Sequence, residues 1–225
     1  MDDSLTEEFM SYYDARAQDY DELYLGKSPA RAAPVYYLGD VKKIRRVASE
    51  FGNGHLIDVG CGTGFWLQYY AQNCSQITLI DQSANMLREC RGRIGMLRIE
   101  ERCQLIQGNF FDLDLNDFSF DSAVAGFFLS HLSHKLEWLF FRKLKRILTP
   151  GASLMLIDST WGPVRAGFKK REGLQERTLN DGRTFTIYKR YFDKSDVEKI
   201  LEEHDFTLDG CYVGDVFLAA TGKNS

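Results

Sequence analysis

The sequence predicts an α/β protein built on a doubly wound, mostly parallel sheet with helices on both faces. Short apolar segments alternate with helix-length amphipathic segments over residues 55–158. Residues 60–64, which read Gly-Cys-Gly-Thr-Gly, follow the first apolar segment and precede a helix, as in nucleotide-type sites. The chain of 225 residues is long enough for one domain with a sizeable core.

The first elements are predicted in order from the apolar spacing. Residues 4–25 are helical and rich in Tyr, Asp and Glu, residues 26–34 break the chain, and residues 41–51 form an amphipathic helix. The alternation then predicts strand 55–59, helix 64–73, strand 76–80, helix 83–93, a helix around 95–101, strand 103–107, strand 120–126, helix 134–147 and strand 152–158. Strands that alternate with helices in this way form parallel sheets.

The pattern changes after residue 158. A basic stretch occupies residues 165–177, and residues 178–189 form a predicted hairpin around the Asn-Asp-Gly turn at 180–182. We expect the basic stretch either to hold an anionic substrate or to form a solvated face.

The last elements are a helix and two strands. Residues 191–204 contain a turn and a helix, for which Ser195 is the predicted N-cap. Strands 206–213 and 215–221, joined near Gly214, close the sheet.

Composition limits the classes of partner. The formal net charge is −4, so no strong attraction to nucleic acid or to an anionic membrane is expected. No apolar run approaches the roughly 18 residues of a membrane span, and the acidic N-terminus lacks the form of a signal peptide. The five cysteines are scattered without C-x-x-C spacing. We therefore expect a cytoplasmic protein with reduced thiols and with neither disulfides nor a metal site.

The glycine turn departs from the dinucleotide-binding fingerprint. In G-x-G-x-x-G the third glycine would stand at Phe65, whereas here it comes one residue early, at Gly64. Asp58 lies two residues before the first glycine, where a carboxylate would repel a pyrophosphate but suit a positively charged ligand. S-adenosylmethionine (SAM) carries two positive groups and no phosphate. These details argue against an NAD-type oxidoreductase.

At this point the chain resembles the class I SAM-dependent methyltransferase family, whose first motif has the form D-x-G-x-G-x-G found at residues 58–64. The resemblance implies a Rossmann-like fold with an antiparallel C-terminal strand pair. It implies an enzyme that transfers a methyl group from SAM to an O, N or C atom of a small-molecule metabolite and releases S-adenosylhomocysteine (SAH). Residues 1–225 are then a single domain, with a lid helix region at 1–35 and a substrate-covering insertion with the hairpin at 159–192.

Three further strand ends extend the resemblance. The second strand ends in Asp81, about 20 residues after the glycines, where an acid binds ribose hydroxyls. Residues 81–87 resemble the D-x-S-x-x-M-L motif of the family, in which Met86 would pack on the adenine. After the third strand the family usually has Gly-Asp, but this chain has Asn109, whose amide oxygen accepts hydrogen bonds as well. Either Asn109 or Asp112 then makes the polar adenine contact, and position favours Asn109.

The fourth strand and the N-terminal helix complete the predicted site. Gly126 permits a close approach to the methionine part of SAM, and Phe127 forms an apolar wall. Tyr13 and Tyr20, one heptad apart, share a helical face and could present their rings to the sulfonium. The predicted cofactor-binding residues are Tyr13, Tyr20, Asp58, Gly60, Cys61, Gly62, Asp81, Gln82, Met86, Gly108, Asn109, Phe110, Gly126 and Phe127.

The acceptor is less well marked. His131 and Asp158 are the candidate general bases. The chain has no N-P-P-Y-type motif and no cysteine pair suited to covalent RNA chemistry, which favours a small metabolite. Two alternatives are an RNA methyltransferase, which the acidic balance disfavours, and a non-catalytic SAM-binding regulatory protein. The sequence does not predict the oligomeric state.

Overall fold

The computed structural model describes residues 3–27, 33–116, 118–167 and 169–225. Its nine strands within these ranges are β1 (His55–Val59), β2 (Gln76–Asp81), β3 (Cys103–Gln107), β4 (Phe120–Gly126), β5 (Leu148–Ser159), β6 (Glu172–Thr178), β7 (Thr184–Arg190), β8 (Phe206–Val213) and β9 (Phe217–Asn224). The α-helices are α1 (Asp3–Arg16), α2 (Pro34–Glu50), α3 (Leu67–Tyr70), α4 (Ala84–Leu97), α5 (His134–Ile147), α6 (Pro163–Ala166) and α7 (Lys194–Glu203).

Seven strands form one sheet in the order β3-β2-β1-β4-β5-β9-β8. The first five of these pair in parallel, and β9 pairs antiparallel with β5 and with β8. The hairpin strands β6 and β7 form a separate antiparallel pair. The predicted fold class is therefore confirmed, including its antiparallel C-terminal pair.

Helices cover both faces of the sheet, and the residue alternation in the strands explains why. In β1, Leu56 belongs to one apolar cluster, which includes Ile44 of α2 and Cys90 of α4. The next residue, Ile57, belongs to a second cluster with Phe140 of α5. Because successive strand residues point to opposite faces, a strand buried on both faces is apolar at nearly every position. Among the described helices, none is long and apolar enough to cross a bilayer.

The helix boundaries differ from prediction where glycines or left-handed residues intervene. The helix predicted to begin at Gly64 is α-helical only over Leu67–Tyr70, because Gly64 has a φ of +69°. The helix predicted around 95–101 is not a separate α-helix: α4 continues to Leu97, Arg98 ends it in the left-handed conformation, and a 3-10 helix follows over Glu100–Arg102. In the N-terminal segment, α1 is followed by a 3-10 helix over Ala17–Leu23.

Other boundaries are longer or shifted. The helix predicted over 41–51 begins earlier, at Pro34, where a proline suits the first helical turn. Residues 28–32 of the predicted break lie outside the described residues. The predicted hairpin is present, but β6 already begins at Glu172, so part of the basic stretch is strand.

The N-cap prediction at Ser195 is wrong. The N-cap of α7 is Asp193, whose carboxylate accepts a hydrogen bond from the Asp196 amide at 3.1 Å. The Asp196 carboxylate accepts one from the Asp193 amide at 2.7 Å, which completes a capping box. The Ser195 hydroxyl donates to Asp193 instead, so both orphan amides at the helix start are satisfied by carboxylates.

A buried carboxylate ties α2 to the turn between β8 and β9. Asp40 accepts hydrogen bonds from the amides of Val216 and Phe217 at 2.7 and 2.8 Å. It also accepts one from the Tyr212 hydroxyl at 2.9 Å. A Cβ atom at Gly214 would lie 2.1 Å from the Asp40 carboxylate, so the glycine is needed there.

We expect Asp40→Ala to lower the free energy of unfolding by about 2–4 kcal/mol, because two buried backbone amides lose their acceptor. The exposed Asp209 of β8 provides the matched control, and Asp209→Ala should change stability by less than about 0.5 kcal/mol. Urea unfolding of the three proteins measures both effects. Equal stability of the Asp40→Ala variant and the wild type would contradict this account.

Candidate active site

The glycine turn after β1 is shaped by what lies on either side of it. Gly60, Gly62 and Gly64 have φ values of +72°, +55° and +69°, in the left-handed region that favours glycine. A Cβ atom on Gly60 would lie 2.7 Å from the Phe128 ring, whereas one on Gly62 would meet only the Met86 sulfur, at 4.0 Å. Gly60 is therefore closely packed, and Gly62 faces open space.

Asp81, at the end of β2, joins the glycine turn to the start of α4. One carboxylate oxygen accepts a hydrogen bond from the Gly62 amide, and the other accepts one from the Ser83 amide, both at 2.9 Å. Burial raises the pKa of Asp81, and these amide hydrogen bonds oppose that shift. The turn and the acid are thus fixed relative to each other.

A cavity of about 70 Å³ lies at the carboxyl edge of the sheet, beside these groups. Its lining comes from the segments that follow β1, β2, β3 and β4, and from the N-terminal helix. It contains most of the predicted site residues: Tyr13, Tyr20, Gly60, Gly62, Asp81, Gln82, Met86, Gly108, Phe110, Gly126, Phe127 and His131. We call it the small cavity.

Three predicted cofactor residues lie outside the lining of the small cavity. Asp58 is buried and accepts a hydrogen bond from the Tyr70 hydroxyl. The Cys61 thiol is buried beside the Gly62 carbonyl, and burial raises its pKa. The Asn109 oxygen accepts a hydrogen bond from a backbone amide in its own loop. Their predicted contacts with a cofactor stay predictions.

The alternative to Asn109 does not settle the adenine contact either. Asp112 is exposed, and it also lies outside the lining of the small cavity. Its backbone amide donates a hydrogen bond to the Asn109 carbonyl at 2.9 Å, so the two residues share one tight turn.

The burial of Asp58 changes the pKa of its carboxyl group. Desolvation raises its pKa to about 7; the neighbouring Asp81 charge adds to the shift and the Tyr70 hydrogen bond opposes it. Buried and hydrogen-bonded to Tyr70, Asp58 supports the glycine turn structurally.

The N-terminal segment is attached over the small cavity by two aspartates. Asp14 accepts a hydrogen bond from the Ser83 hydroxyl at 2.7 Å. Asp21 accepts one from the Thr63 hydroxyl at 2.6 Å and forms an ion pair with Arg93. The sequence analysis missed both, although they follow Tyr13 and Tyr20 directly and so repeat with the same seven-residue spacing.

His131 lies where the small cavity meets the rest of the site. Its Nδ1 lies 2.9 Å from the Tyr188 carbonyl oxygen, and its Nε2 lies 2.7 Å from the Tyr13 hydroxyl. Since a carbonyl only accepts, Nδ1 carries the proton and Nε2 accepts from Tyr13. Burial, and then the Lys189 charge, lower the pKa of His131 well below its ordinary value. The imidazole is therefore neutral at neutral pH.

Sequence reasoning missed Lys189, the buried cation beside His131. Its Nζ lies 3.5 Å from His131 Nε2 and 3.4 Å from an oxygen of Asp158. Burial lowers the pKa of Lys189 to about 8, although the Asp158 charge opposes that shift. The alternation of β7 could have indicated that Lys189 is buried, because it shares a strand face with the apolar Ile187, and both residues are buried.

Asp158, the other candidate base, is buried among donors. Its oxygens accept hydrogen bonds from the amides of Ser130 at 2.9 Å and Ser159 at 2.7 Å. It lines neither the small cavity nor its larger neighbour. The structure thus brings His131, but not Asp158, to the cavity surface.

A second cavity of about 930 Å³, the large cavity, adjoins the first. Tyr13, Tyr20, Phe127 and His131 line both cavities. The tip of the β6–β7 hairpin closes the large cavity, where the Asn180 amide donates hydrogen bonds to the carboxylates of the N-terminal segment at 3.3 Å. The hairpin tip therefore borders the large cavity, and its predicted role as a cover over substrate stays a prediction.

Comparison with known proteins shows which family the chain resembles. A family profile described as a methyltransferase domain matches residues 57–156. The demethylmenaquinone methyltransferase of Lactiplantibacillus plantarum is 32% identical over 111 residues, which are 48% of this chain and 46% of that protein. The protein of the same name from Staphylococcus aureus is 26% identical over 166 residues, covering 67% of this chain and 66% of that protein. The chain spans about half the length of most of the curated relatives it matches.

Among solved structures, two complexes of DhpI match nearly the whole chain. The DhpI complex with SAH has a TM-score of 0.75 and 24% identity, and covers 100% of this chain and 99% of that one. The DhpI complex with SAM and HEP also has a TM-score of 0.75, with 26% identity and 97% of both chains covered.

Replacing Asp81 tests the small cavity. We expect Asp81→Asn to weaken SAH binding at least about tenfold, because a charge-assisted acceptor is replaced by a neutral one. Asp114→Asn is the matched control, since Asp114 is exposed on the loop after β3 and should leave SAH affinity unchanged. Isothermal titration measures both, and unchanged affinity in Asp81→Asn would contradict the assignment.

The raised pKa of Asp58 gives a stability prediction with a definite sign. Below about pH 4, the ordinary pKa of an unfolded aspartate, the Asp58 carboxyl is protonated in the folded and the unfolded protein alike. As pH rises from there toward the folded pKa of about 7, only the unfolded protein loses this proton readily, so the free energy of unfolding falls. An Asp58→Asn variant lacks this ionisation. Its melting temperature should therefore fall less than that of the wild type between about pH 5 and about pH 8. Equal pH slopes for the two proteins would refute the prediction.

Proposed function

We propose that the chain is a class I SAM-dependent methyltransferase and that it transfers a methyl group from SAM to an O, N or C atom of a small molecule. The family profile and the extended match to DhpI support this proposal. The observation that carries it is the junction of the two cavities. Phe127 and His131 line both, so a cofactor and an acceptor can meet across these side chains.

The residues of the small cavity fit SAM better than a dinucleotide. Among the described residues, no lysine or arginine lines it, so nothing there would compensate a pyrophosphate. Asp81 offers carboxylate acceptors for hydroxyl groups, while Met86 and Phe110 supply buried apolar surfaces. SAM supplies a methyl group that is already activated on a positively charged sulfonium.

Aromatic side chains provide the remaining walls. The rings of Tyr13 and Tyr20 lie 6.0 Å apart, centroid to centroid, and both border the two cavities together with Phe127. Aromatic faces attract positive groups, so this arrangement supports binding of a sulfonium. The chain's contribution to the reaction is mainly alignment of donor and acceptor.

The N-terminal region 1–35 serves as a lid in this proposal. Phe9 and Met10 of α1 project into the small cavity, whose volume of about 70 Å³ is far below the ~300 Å³ typical of ligand pockets. These side chains must therefore move to admit a cofactor. The insertion 159–192, with its hairpin, would cover the acceptor in the large cavity, within a single domain over 1–225.

We assign the general base to His131 where the acceptor must lose a proton. Its Nδ1–H is held by the Tyr188 carbonyl, which leaves the Nε2 lone pair directed toward Tyr13 and the cavity. A neutral imidazole is the form that accepts a proton. Asp158 is better suited to positioning Lys189 and the Ser130 amide, because it lines neither cavity.

The alternatives are less well supported. A non-catalytic SAM-binding protein would not need a second cavity of about 930 Å³ against the first. An RNA methyltransferase is disfavoured by the net charge of −4; a shift of labelled RNA at low salt would reverse that view. A cytoplasmic location is supported by five free cysteines.

Isothermal titration with SAM, SAH and NAD tests the proposed function. Micromolar binding of SAM and SAH, without binding of NAD, is the expected result. Methyl transfer is then followed as SAH release with a panel of phenols, amines and acids. Failure of both SAM and SAH to bind would contradict the proposal.

Substitution of His131 tests the base. We expect the kcat of the wild type to hold steady at and below the ordinary histidine pKa of about 6.5 and to fall only at lower pH, because burial favours the neutral ring. His131→Asn should lower kcat by about 10²- to 10⁴-fold and abolish the fall of kcat at low pH, the acid limb of the profile. The control is His134→Asn, because the His134 side chain is 70% exposed. An acid limb that persists in His131→Asn would exclude His131 as the base.

A further inference from the structure

Three cations of the large cavity surround one phenol ring. The Arg165 guanidinium carbon lies 4.9 Å from the centroid of the Tyr191 ring, and Lys189 Nζ lies 5.9 Å from it. An Arg177 nitrogen donates a hydrogen bond to the Tyr191 hydroxyl at 3.1 Å. All three cations line the large cavity. We call Arg165, Arg177 and Lys189 the cation cluster.

The positive charge of the cation cluster is not balanced by nearby carboxylates. Lys189 has Asp158 at 3.4 Å, but in the described part of the chain no carboxylate forms an ion pair with Arg165 or Arg177. Their hydrogen-bond partners are neutral: Arg165 donates to the Thr160 carbonyl at 3.0 Å, and Arg177 donates to neutral oxygens.

Burial makes this imbalance costly. Arg165 and Lys189 are each only 6% exposed, and buried charge without a partner is destabilising. Desolvation lowers the pKa of both, and repulsion from Arg177 lowers them further. An anion seated in the cluster would relieve both effects.

Acidic side chains also border the large cavity, but at its mouth. Asp19, Glu176 and Asp181 are exposed, and Asp181 is paired with Arg183 at 2.7 Å. The most buried charges of the lining are therefore positive, and its most exposed ones are negative, while the half-buried Arg16, Glu22 and Lys169 lie between these extremes. Such a charge distribution favours a ligand whose anionic end enters first.

The cluster also adjoins the place where the two cavities meet. Lys189 Nζ lies 5.9 Å from the Phe127 ring centroid and 3.5 Å from His131 Nε2, and both of those side chains line the two cavities. A group held by the cluster would lie beside the boundary between them.

We propose that the methyl acceptor carries an oxyanion, of the carboxylate or phosphate kind, which Arg165, Arg177 and Lys189 bind in the large cavity. This inference rests on the proposed methyl transfer, since it names the substrate class of that site. The sequence left open whether the basic stretch 165–177 is a solvated face, and Lys189 lies outside that stretch. Two of its arginines instead join a lysine from the hairpin's second strand, β7, to form one site.

The test uses the wild-type protein loaded with saturating SAH. Isothermal titration compares phenyl phosphate and benzoate with benzyl alcohol and benzylamine, which have similar rings but no negative charge. We expect the two anions to bind at least about tenfold more tightly than the neutral and cationic probes. Equal or tighter binding of benzyl alcohol or benzylamine would overturn the proposal.

Two variants locate the binding. Arg177→Gln removes the least buried member of the cluster and should weaken phenyl phosphate binding at least about tenfold, with SAH affinity unchanged. Lys170→Gln, at an exposed position of the same segment, removes the same charge and should leave binding within about twofold. A similar loss in both variants would show a diffuse charge effect and overturn the site.

The outcomes distinguish a failure of the oxyanion proposal from a failure of the proposed methyl transfer. Thermal melting of each variant confirms folding, and the probe comparison on the wild type stands without any variant. SAH binding without a preference for anions overturns the oxyanion proposal alone. Absence of SAH binding would overturn the methyl transfer and, with it, the acceptor class.

Discussion

The site depends on the position of β1 between two parallel neighbours. β1 pairs with β2 on one side and with β4 on the other. The connections that follow β1 and β4 therefore leave the carboxyl ends of these two strands toward opposite faces of the sheet. A crevice opens at such a reversal of strand order. The amides of Gly60 and Cys61 both donate to the Ile80 carbonyl, and Asp81 accepts from Gly62. These bonds fix the glycine turn at the edge of that crevice.

The cover of the site is held by polar contacts and by buried side chains such as Ala17 and Tyr24 of the N-terminal segment. Asp14 and Asp21 attach the N-terminal segment to the start of α4 and to the glycine turn, while Asn180 attaches the hairpin tip to that same segment. Each such hydrogen bond contributes only about 0.5–1.5 kcal/mol of net free energy. A cover that can open over a fixed crevice lets a cofactor enter and then excludes water from the reacting groups.

The sequence was sufficient for the sheet and for the residues at its strand ends, because both follow from local patterns. Alternating strands and helices predicted the parallel sheet, and Gly62, Asp81 and Met86 lie at a strand end or within five residues after one. Long-range pairing decides the rest. Nothing near Lys189 in sequence indicates Asp158 or His131 as neighbours, and the turn of Asp58 toward Tyr70 depends on how α3 packs. Ser195 failed as a cap because Asp193, two residues earlier, has a carboxylate in the same role.

A crystal structure of the protein with SAH tests the central claim most directly, namely that the small cavity is the cofactor site and the large cavity the acceptor site. The account predicts SAH along Gly62, Asp81 and Met86, with Phe9 and Met10 displaced and with the large cavity still accessible beside Phe127. SAH bound within the large cavity, or away from Asp81, would contradict it.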